Sequence, residues 1–150
     1  MTTVQNDDPT ERLLAAQRLA VNTLYRAFND KNPDLLDNVL TADWEDIPLA
    51  PGQAPGVKGM KPLVAGFITV LPDIKIVIHD LLQVPGRIAV RAEITGTHRG
   101  EIFGIPGTGK PVNFSIHEFH EMEGDRIKRT WHQEDWFGFF RQVGQFPSIK

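Results

Sequence analysis

The feature that most limits the fold of this chain is a strict alternation of side chains over residues 111–123. Successive side chains of a β-strand point to opposite sides of the sheet, so this pattern predicts a half-buried strand. Glu-Gly-Asp-Arg at 123–126 then predicts a tight turn, and a second strand follows from Ile127 to Trp136. The buried face of the first strand would carry Val112, Phe114, Ile116, Glu118, His120 and Met122.

Two shorter alternating stretches precede this hairpin, one on each side of Pro85-Gly86. Together with the hairpin they predict a meander of antiparallel strands. In the first stretch the predicted buried side chains are Ile74, Ile76, Ile78, Leu82 and Val84.

Helical patterns fill the region before the strands. Asp8-Pro9 is a typical helix start, because Asp can cap the first turn and Pro is tolerated within it. An apolar stripe at helical spacing then runs to Phe28. A short second helix is predicted after Asn32-Pro33.

The segment between this short helix and the meander is mixed. Alternation in a short extended piece places Trp44 and Asp46 on one face. Residues 49–59 are rich in Gly and Pro and predict an irregular loop, and a third helix is predicted over 60–71. Helices followed by an antiparallel meander predict an α+β domain, and one domain over residues 1–150 fits the length.

Composition excludes several classes of partner. A net charge of −3 gives no basic footprint for nucleic acid. No apolar run reaches the roughly 18 residues expected of a membrane span. The N-terminus lacks the pattern of a signal peptide, so a cytoplasmic location is predicted. The absence of cysteine excludes disulfides and thiolate ligands.

Two motifs suggest sites that their context does not support. Residues 104–110 resemble a phosphate-binding loop, but Pro111 replaces the required Ser or Thr and a strand follows instead of a helix. His117 and His120 resemble a zinc motif, but their spacing on a strand points them to opposite faces. We therefore predict neither a metal nor another cofactor.

Glu118 is the informative residue of the long strand. It interrupts an apolar row, where an unpaired carboxylate would be costly. Two interpretations remain open: Glu118 borders a cavity, with His98 and Asp46 reaching the same side, or it simply pairs with His120 or Arg129. Buried carboxylates near imidazoles are typical of acid/base sites.

The pairing of the hairpin decides what faces Glu118. A two-residue turn would pair Glu118 with Trp131, whereas a longer loop or a bulge would bring His132 beside Glu118. A slip of one residue moves every side chain of a strand to the other face. The sequence leaves both pairings open.

Several stretches resemble the SnoaL-like polyketide cyclase family of the NTF2-like superfamily: GTHRGEIFGIPGTGKPVNF, the E-G-D-R-I turn, Trp131, Asp135 and the RQVG ending. The resemblance implies a curved antiparallel sheet wrapped by three N-terminal helices into a cone around an apolar pocket. It also implies cofactor-free ring closure by aldol condensation, with a carboxylate as general acid/base. The family's catalytic aspartate falls on His132, a pocket histidine on Glu118 and a pocket asparagine on Asp46.

We therefore predict a cofactor-free acid/base enzyme that cyclises, isomerises or dehydrates a hydrophobic carbonyl compound. His132 would remove a proton, Glu118 would orient His132, and Asp46 or His98 would bind the oxygen that gains charge. The alternative is a non-catalytic binding protein of the same fold, because fold does not fix function. A homodimer through the outer sheet face is also expected. The predicted substrate-binding residues are Trp44, His98, Phe114, His120, Trp131 and Asp135.

Overall fold

A computed structural model describes residues 8–146 of the chain. Helices and strands follow one another in the order expected of an α+β domain. The elements are α1 (Pro9–Asn29), a 3-10 helix (Pro33–Asn38), β1 (Leu40–Ile47), α2 (Gly56–Val70), β2 (Lys75–Val84), β3 (Arg87–Thr97), β4 (Pro111–Glu123), β5 (Arg126–Glu134) and α3 (Trp136–Gln142).

The helices begin largely where the sequence predicts them. The Asp8 carboxylate caps α1 by accepting a hydrogen bond from the backbone N–H of Thr10 at 2.9 Å. The predicted second helix is a single 3-10 segment, and α2 begins at Gly56 rather than at Met60, so the predicted loop is shorter than expected. The aromatic-rich segment after β5 forms α3, a helix that the sequence pattern does not predict.

The five strands form one sheet in the order β1-β5-β4-β3-β2. The meander from β2 to β5 is antiparallel as predicted, but β1 pairs parallel to β5. The sheet is thus antiparallel through the meander, as predicted, with one parallel pair at this edge. The parallel pairing places β1 beside the last strand and brings Asp46 level with Thr130.

A bulge between Ile78 and Asp80 changes which side chains of β2 face the interior of the protein. Beyond it, Leu82 and Val84 are 71% and 60% exposed, so their predicted burial is wrong. An inserted residue moves every later side chain of the strand to the opposite face of the sheet. The alternation of the sequence alone does not show where such a residue is inserted.

A second bulge sets the pairing of the hairpin. The register shifts between Glu121 and Met122, and the extra residue lies on β5. Glu118 is consequently paired with His132, which is the bulged alternative of the two that the sequence allowed. The two residues become neighbours on adjacent strands.

The core lies between the inner sheet face and the helices. The predicted inward residues of β4 are all buried, and Val21, Leu36, Val64 and Ile127 are fully buried against them. Asn29 ties the end of α1 to β2, because its side chain exchanges two hydrogen bonds with the backbone of Ile76. This packing holds the helices above the sheet and leaves room for a cavity.

Within residues 8–146, no helix is both long enough and apolar enough to cross a membrane. The cytoplasmic location and the absence of nucleic-acid binding stay predictions.

Candidate active site

A cavity of about 560 Å³ lies between α1, α2 and the inner face of the sheet. Its walls are mainly apolar, with Phe28, Trp44, Phe67 and Trp136 as aromatic components. Volume and lining suit a small apolar molecule, since ligand sites are mostly apolar with a few placed polar groups. The polar or ionisable side chains that line it are Tyr25, Asp46, Glu118, Thr130, His132, Gln133 and Glu134.

The sheet register brings these polar groups together from three strands. Asp46 on β1 lies level with Thr130 on β5, and Thr130 lies opposite His120 on β4. One step along, His132 lies opposite Glu118. The polar floor of the cavity is thus built by strands that are distant in sequence.

A directional chain of hydrogen bonds runs beneath this floor. The indole Nε1–H of Trp44 donates to Thr130 Oγ1 at 3.3 Å, and Thr130 Oγ1 lies 3.0 Å from His120 Nδ1. An indole can only donate, so we assign the Thr130 hydrogen to the bond with His120 Nδ1. His120, which is fully buried, then carries its ring proton on Nε2.

The same chain continues to Glu118. His120 Nε2 lies 3.0 Å from the Tyr25 hydroxyl and 3.2 Å from Glu118 Oε2. The Tyr25 hydroxyl donates to Glu118 Oε2 at 2.5 Å. Burial, with the charge of Glu118 and this hydrogen bond, raises the pKa of Tyr25 well above its ordinary value of 10.0. Tyr25 therefore stays protonated and continues to donate to Glu118.

Both interpretations of Glu118 hold in part. It is paired, but with Tyr25 as well as His120, and it also lines the cavity. Arg129 instead binds Glu45 and Glu121. Within the described residues, the hydrogen bonds and ion pairs of Glu118 all end on Oε2, and none reaches the second carboxylate oxygen, Oε1. The network therefore fixes one oxygen of Glu118 and leaves the other available.

His132 is held at both ring nitrogens. Nε2 lies 2.7 Å from the carbonyl oxygen of Pro48, and Nδ1 lies 2.7 Å from Glu134 Oε1. Burial acts to lower the pKa of His132, but the hydrogen bond and charge of Glu134, with Asp46 and the Pro48 carbonyl, raise it from 6.5 to about 9. His132 is then an imidazolium at neutral pH, with no lone pair to accept a substrate proton.

Asp46 lies beside this cation, with Oδ1 3.3 Å from His132 Nε2. Gln53 Nε2 donates to Asp46 Oδ2 at 2.9 Å, and the other end of the amide accepts from the backbone N–H of Ala50. Burial raises the pKa of Asp46, and the charges of Glu118 and Glu134 add to this, while Gln53 and His132 oppose it. Asp46 is thus a buried carboxyl group with a stronger affinity for protons than an ordinary aspartate.

The segment 48–53 connects these charged groups to the rim of the cavity. Pro48 and Gln53 bind His132 and Asp46, while Leu49, which is 43% exposed, lines the cavity between them. The segment is therefore held in place by the ionisable residues of the site.

Five of the six predicted substrate-binding residues do not line the cavity. His98 is fully buried and fastens the loop after β3, with its Nδ1 3.0 Å from Thr108 Oγ1. Phe114 packs against Trp136 in the core. Asp135 caps α3 through the backbone N–H of Gly138.

Trp131 is the fourth of these residues and lies on the outer side of the sheet. It is paired with the exposed Phe119, and the Arg87 guanidinium stands 5.4 Å from its ring centre. Trp44 does line the cavity, and His120 supports it through Tyr25 and Thr130 without lining it.

Sequence reasoning missed four residues of the site: Tyr25, Gln53, Thr130 and Glu134. Tyr25 carried a weak signal, as the only tyrosine of the chain within an apolar helical stripe. Gln53 lies in a segment without periodicity, and no sequence signal connects it to Asp46.

No group of three or more His, Asp or Glu side chains within residues 8–146 is arranged to hold a metal ion. The prediction that the site works without a cofactor remains a proposal about its chemistry.

The raised pKa of His132 predicts a pH-dependent stability. The contribution is fully present below about pH 6.5 and is lost as the pH rises through about 9. At about 1.4 kcal/mol per pKa unit it is on the order of 3 kcal/mol. Urea unfolding of Glu134→Gln should show a loss between pH 6.5 and 9.5 that is smaller by at least about 1 kcal/mol than in the unmodified protein.

The matched control is Glu101→Gln, which removes the same charge at an exposed position. It should lose as much free energy of unfolding over this pH range as the unmodified protein. Equal losses in the unmodified protein and Glu134→Gln would show that Glu134 does not raise the pKa of His132.

Comparison with known proteins identifies a family for this chain. The SnoaL-like polyketide cyclase family matches residues 18–143. TsrD from Streptomyces laurentii superposes with a TM-score of 0.82 at 22% identity, over 88% of this chain and 97% of that one. A comparison with curated proteins finds no significant match.

Two further solved structures agree. A SnoaL-like polyketide cyclase from Agrobacterium tumefaciens has a TM-score of 0.72 at 22% identity, over 85% of this chain and 98% of that one. IdmH from Streptomyces antibioticus has a TM-score of 0.74 at 25% identity, over the same shares. The mixed α+β architecture is NTF2-like. The chain belongs to the SnoaL-like polyketide cyclase family.

Proposed function

We propose that this protein is a cofactor-free acid/base enzyme acting on a hydrophobic carbonyl compound, by aldol cyclisation of the polyketide cyclase type. The observation that carries the proposal is the group of two buried carboxylates, Asp46 and Glu118, and one imidazolium, His132, that lines a mainly apolar cavity. Family membership supports the general reaction type. Ionisable groups with perturbed pKa values in such a cavity are typical of catalytic sites.

The geometry supports a different assignment of roles from the one predicted from sequence. His132 was predicted to remove a proton, with Glu118 orienting it. His132 donates from both nitrogens, and Glu134, rather than Glu118, binds its Nδ1. We therefore assign the proton-accepting role to Asp46 and give His132 the role of a fixed positive charge beside it.

The proposed reaction begins when Asp46 accepts a proton from the carbon next to a carbonyl group. The electron pair of that C–H bond becomes a C=C bond, and the π pair of the carbonyl moves to its oxygen, which gives an enolate. The charge of His132 offsets the negative charge that builds up. The enolate carbon then attacks a second carbonyl of the same molecule, and Asp46 returns the proton to the new alkoxide. Only protons and a C–C bond change, so the reaction requires no redox cofactor.

Isomerisation and dehydration are further outcomes of the same first step. An enolate that is reprotonated at another carbon gives an isomer, and one that expels a β-hydroxyl group gives the dehydrated product. Removal of the α-proton is common to all three reactions, so it is the step to test.

Exchange of α-protons tests this step without the natural substrate. The protein in D₂O should accelerate deuterium uptake at the α-carbons of 2-tetralone, a bicyclic apolar ketone, as followed by NMR. Asp46→Asn should reduce the acceleration by about 10²-fold or more, because general base catalysis typically contributes 10²–10⁴-fold. Glu121→Gln, on the outer face, is the control that should retain it.

An exchange rate equal to that of buffer, or one unchanged by Asp46→Asn, would reject the catalytic proposal. The second candidate, a non-catalytic binding protein, would then stand. One observation favours it: the hydrogens of Tyr25 and Thr130 are engaged with protein acceptors, so neither is free for an enolate oxygen.

We also propose that two copies pair through the outer face of the sheet. Phe119 on β4 and Leu82 and Val84 on β2 are large apolar side chains that are 60% exposed or more. Exposed apolar groups on one face are typical of protein–protein contacts. Arg87 and Glu121 add a charged pair beside them.

Light scattering during gel filtration tests this pairing. The protein at micromolar concentration should have the mass of a dimer, and Phe119→Glu should convert it to a monomer by placing a charge in the contact. Leu19→Glu, on an α1 side chain of the same 62% exposure, should leave the mass unchanged. A monomeric unmodified protein would refute the proposal.

A further inference from the structure

The buried and half-buried hydrogen-bond donors that line the cavity are engaged with protein groups, and Gln133, the other lining side chain with N–H donors, is exposed. The hydroxyl of Thr130 and the indole of Trp44 both donate to other protein groups, and so does the hydroxyl of Tyr25. The two N–H groups of His132 donate to Pro48 and Glu134. Each of these donors is therefore engaged before a ligand enters.

Acceptors, in contrast, remain available on the same floor. Glu118 is 8% exposed, lines the cavity, and has one carboxylate oxygen, Oε1, that no hydrogen bond of the described residues reaches. Glu118 Oε1 is not among the enclosed polar atoms that lack a partner, so it is open to the cavity. A ligand that displaces solvent from this oxygen has to supply a hydrogen in its place, since an unpaired carboxylate oxygen away from water is costly.

Negatively charged groups outnumber positively charged ones in the lining of the cavity. Its lining contains the carboxylates of Asp46, Glu118 and Glu134 and a single cationic group, His132, with neither Lys nor Arg among the described lining residues. Burial raises the pKa of Asp46, and the negative charges of Glu118 and Glu134 contribute to the same shift. An anionic ligand would add a further negative charge in a poorly solvated space.

We propose that this cavity selects apolar molecules whose polar end donates a hydrogen bond and carries no negative charge, namely hydroxyl or ammonium compounds, and rejects free acids. Glu118 Oε1 accepts the hydrogen of that group, while the aromatic walls contact the apolar body. An ammonium group would also be attracted by the ring face of a nearby aromatic side chain such as Trp44.

This inference rests on the proposed function for the location of the site and names its substrate class. A substrate would place its hydroxyl or amino group at Glu118 and its carbonyl near Asp46. A corresponding free carboxylic acid would be a poor substrate because it repels both residues.

Three ligands with one skeleton test the selection at pH 7: 2-naphthalenemethanol, 2-naphthylmethylamine and 2-naphthoic acid. Isothermal titration calorimetry with the full chain should give dissociation constants for the alcohol and the amine that are more than about tenfold lower than that of the acid. Equal or tighter binding of the acid would overturn the proposal. Failure of both the alcohol and the amine to bind would overturn it as well.

A variant series assigns the effect to Glu118. Glu118→Gln removes the charge and offers an amide N–H, so the preference over the acid should fall by about threefold or more. Glu121→Gln, the neighbouring glutamate on the outer face, should keep the preference of the unmodified protein. A preference that is unchanged in a folded Glu118→Gln protein would exclude the assigned role of Glu118.

The ligand series on the unmodified protein decides the proposal even if Glu118→Gln does not fold. It is also independent of catalysis. If the ligands bind in the predicted order but 2-tetralone does not exchange, the catalytic proposal is rejected and the proposed selectivity stands. Deuterium exchange of 2-tetralone together with tighter binding of the acid would support the enzyme and reject the proposed selectivity.

Discussion

The hydrogen bond between Tyr25 and Glu118 is the interaction on which the site depends. It joins α1 to β4, so it fixes the distance between the helix layer and the sheet at the point where the cavity forms. It also keeps a carboxylate in an apolar interior, because a donor faces the charge. Without it, Glu118 would be a buried charge supported by His120 alone.

The direction of the network follows from the group at its far end. Trp44 can only donate, so the hydrogen bonds point from Trp44 through Thr130, His120 and Tyr25 towards Glu118. A proton arriving at Glu118 cannot pass back along this chain, since the indole accepts none. The network therefore supports negative charge at the cavity rather than conducting protons away from it.

The sequence could predict the fold class and the faces of β4, because one face of that strand is almost wholly apolar. It could not predict which side chains of β2 face inward beyond the bulge, where Leu82 is exposed. The partners of His132 were equally hidden, because Pro48 reaches it only through the parallel pairing of β1 with β5. Glu118 was identified because an unpaired carboxylate in a row of buried apolar side chains is costly, which indicates a partner or a cavity.

The site depends on one imidazolium, His132, which lines the cavity, and on one imidazole with a fixed tautomer, His120, which lies beneath the cavity floor. Long-range ¹H–¹⁵N NMR of the histidine side chains at pH 7 tests it directly. Both nitrogens of His132 should be protonated, and His120 should carry its proton on Nε2 with Nδ1 unprotonated. A His132 ring with one unprotonated nitrogen at pH 7, or a His120 proton on Nδ1, would contradict it.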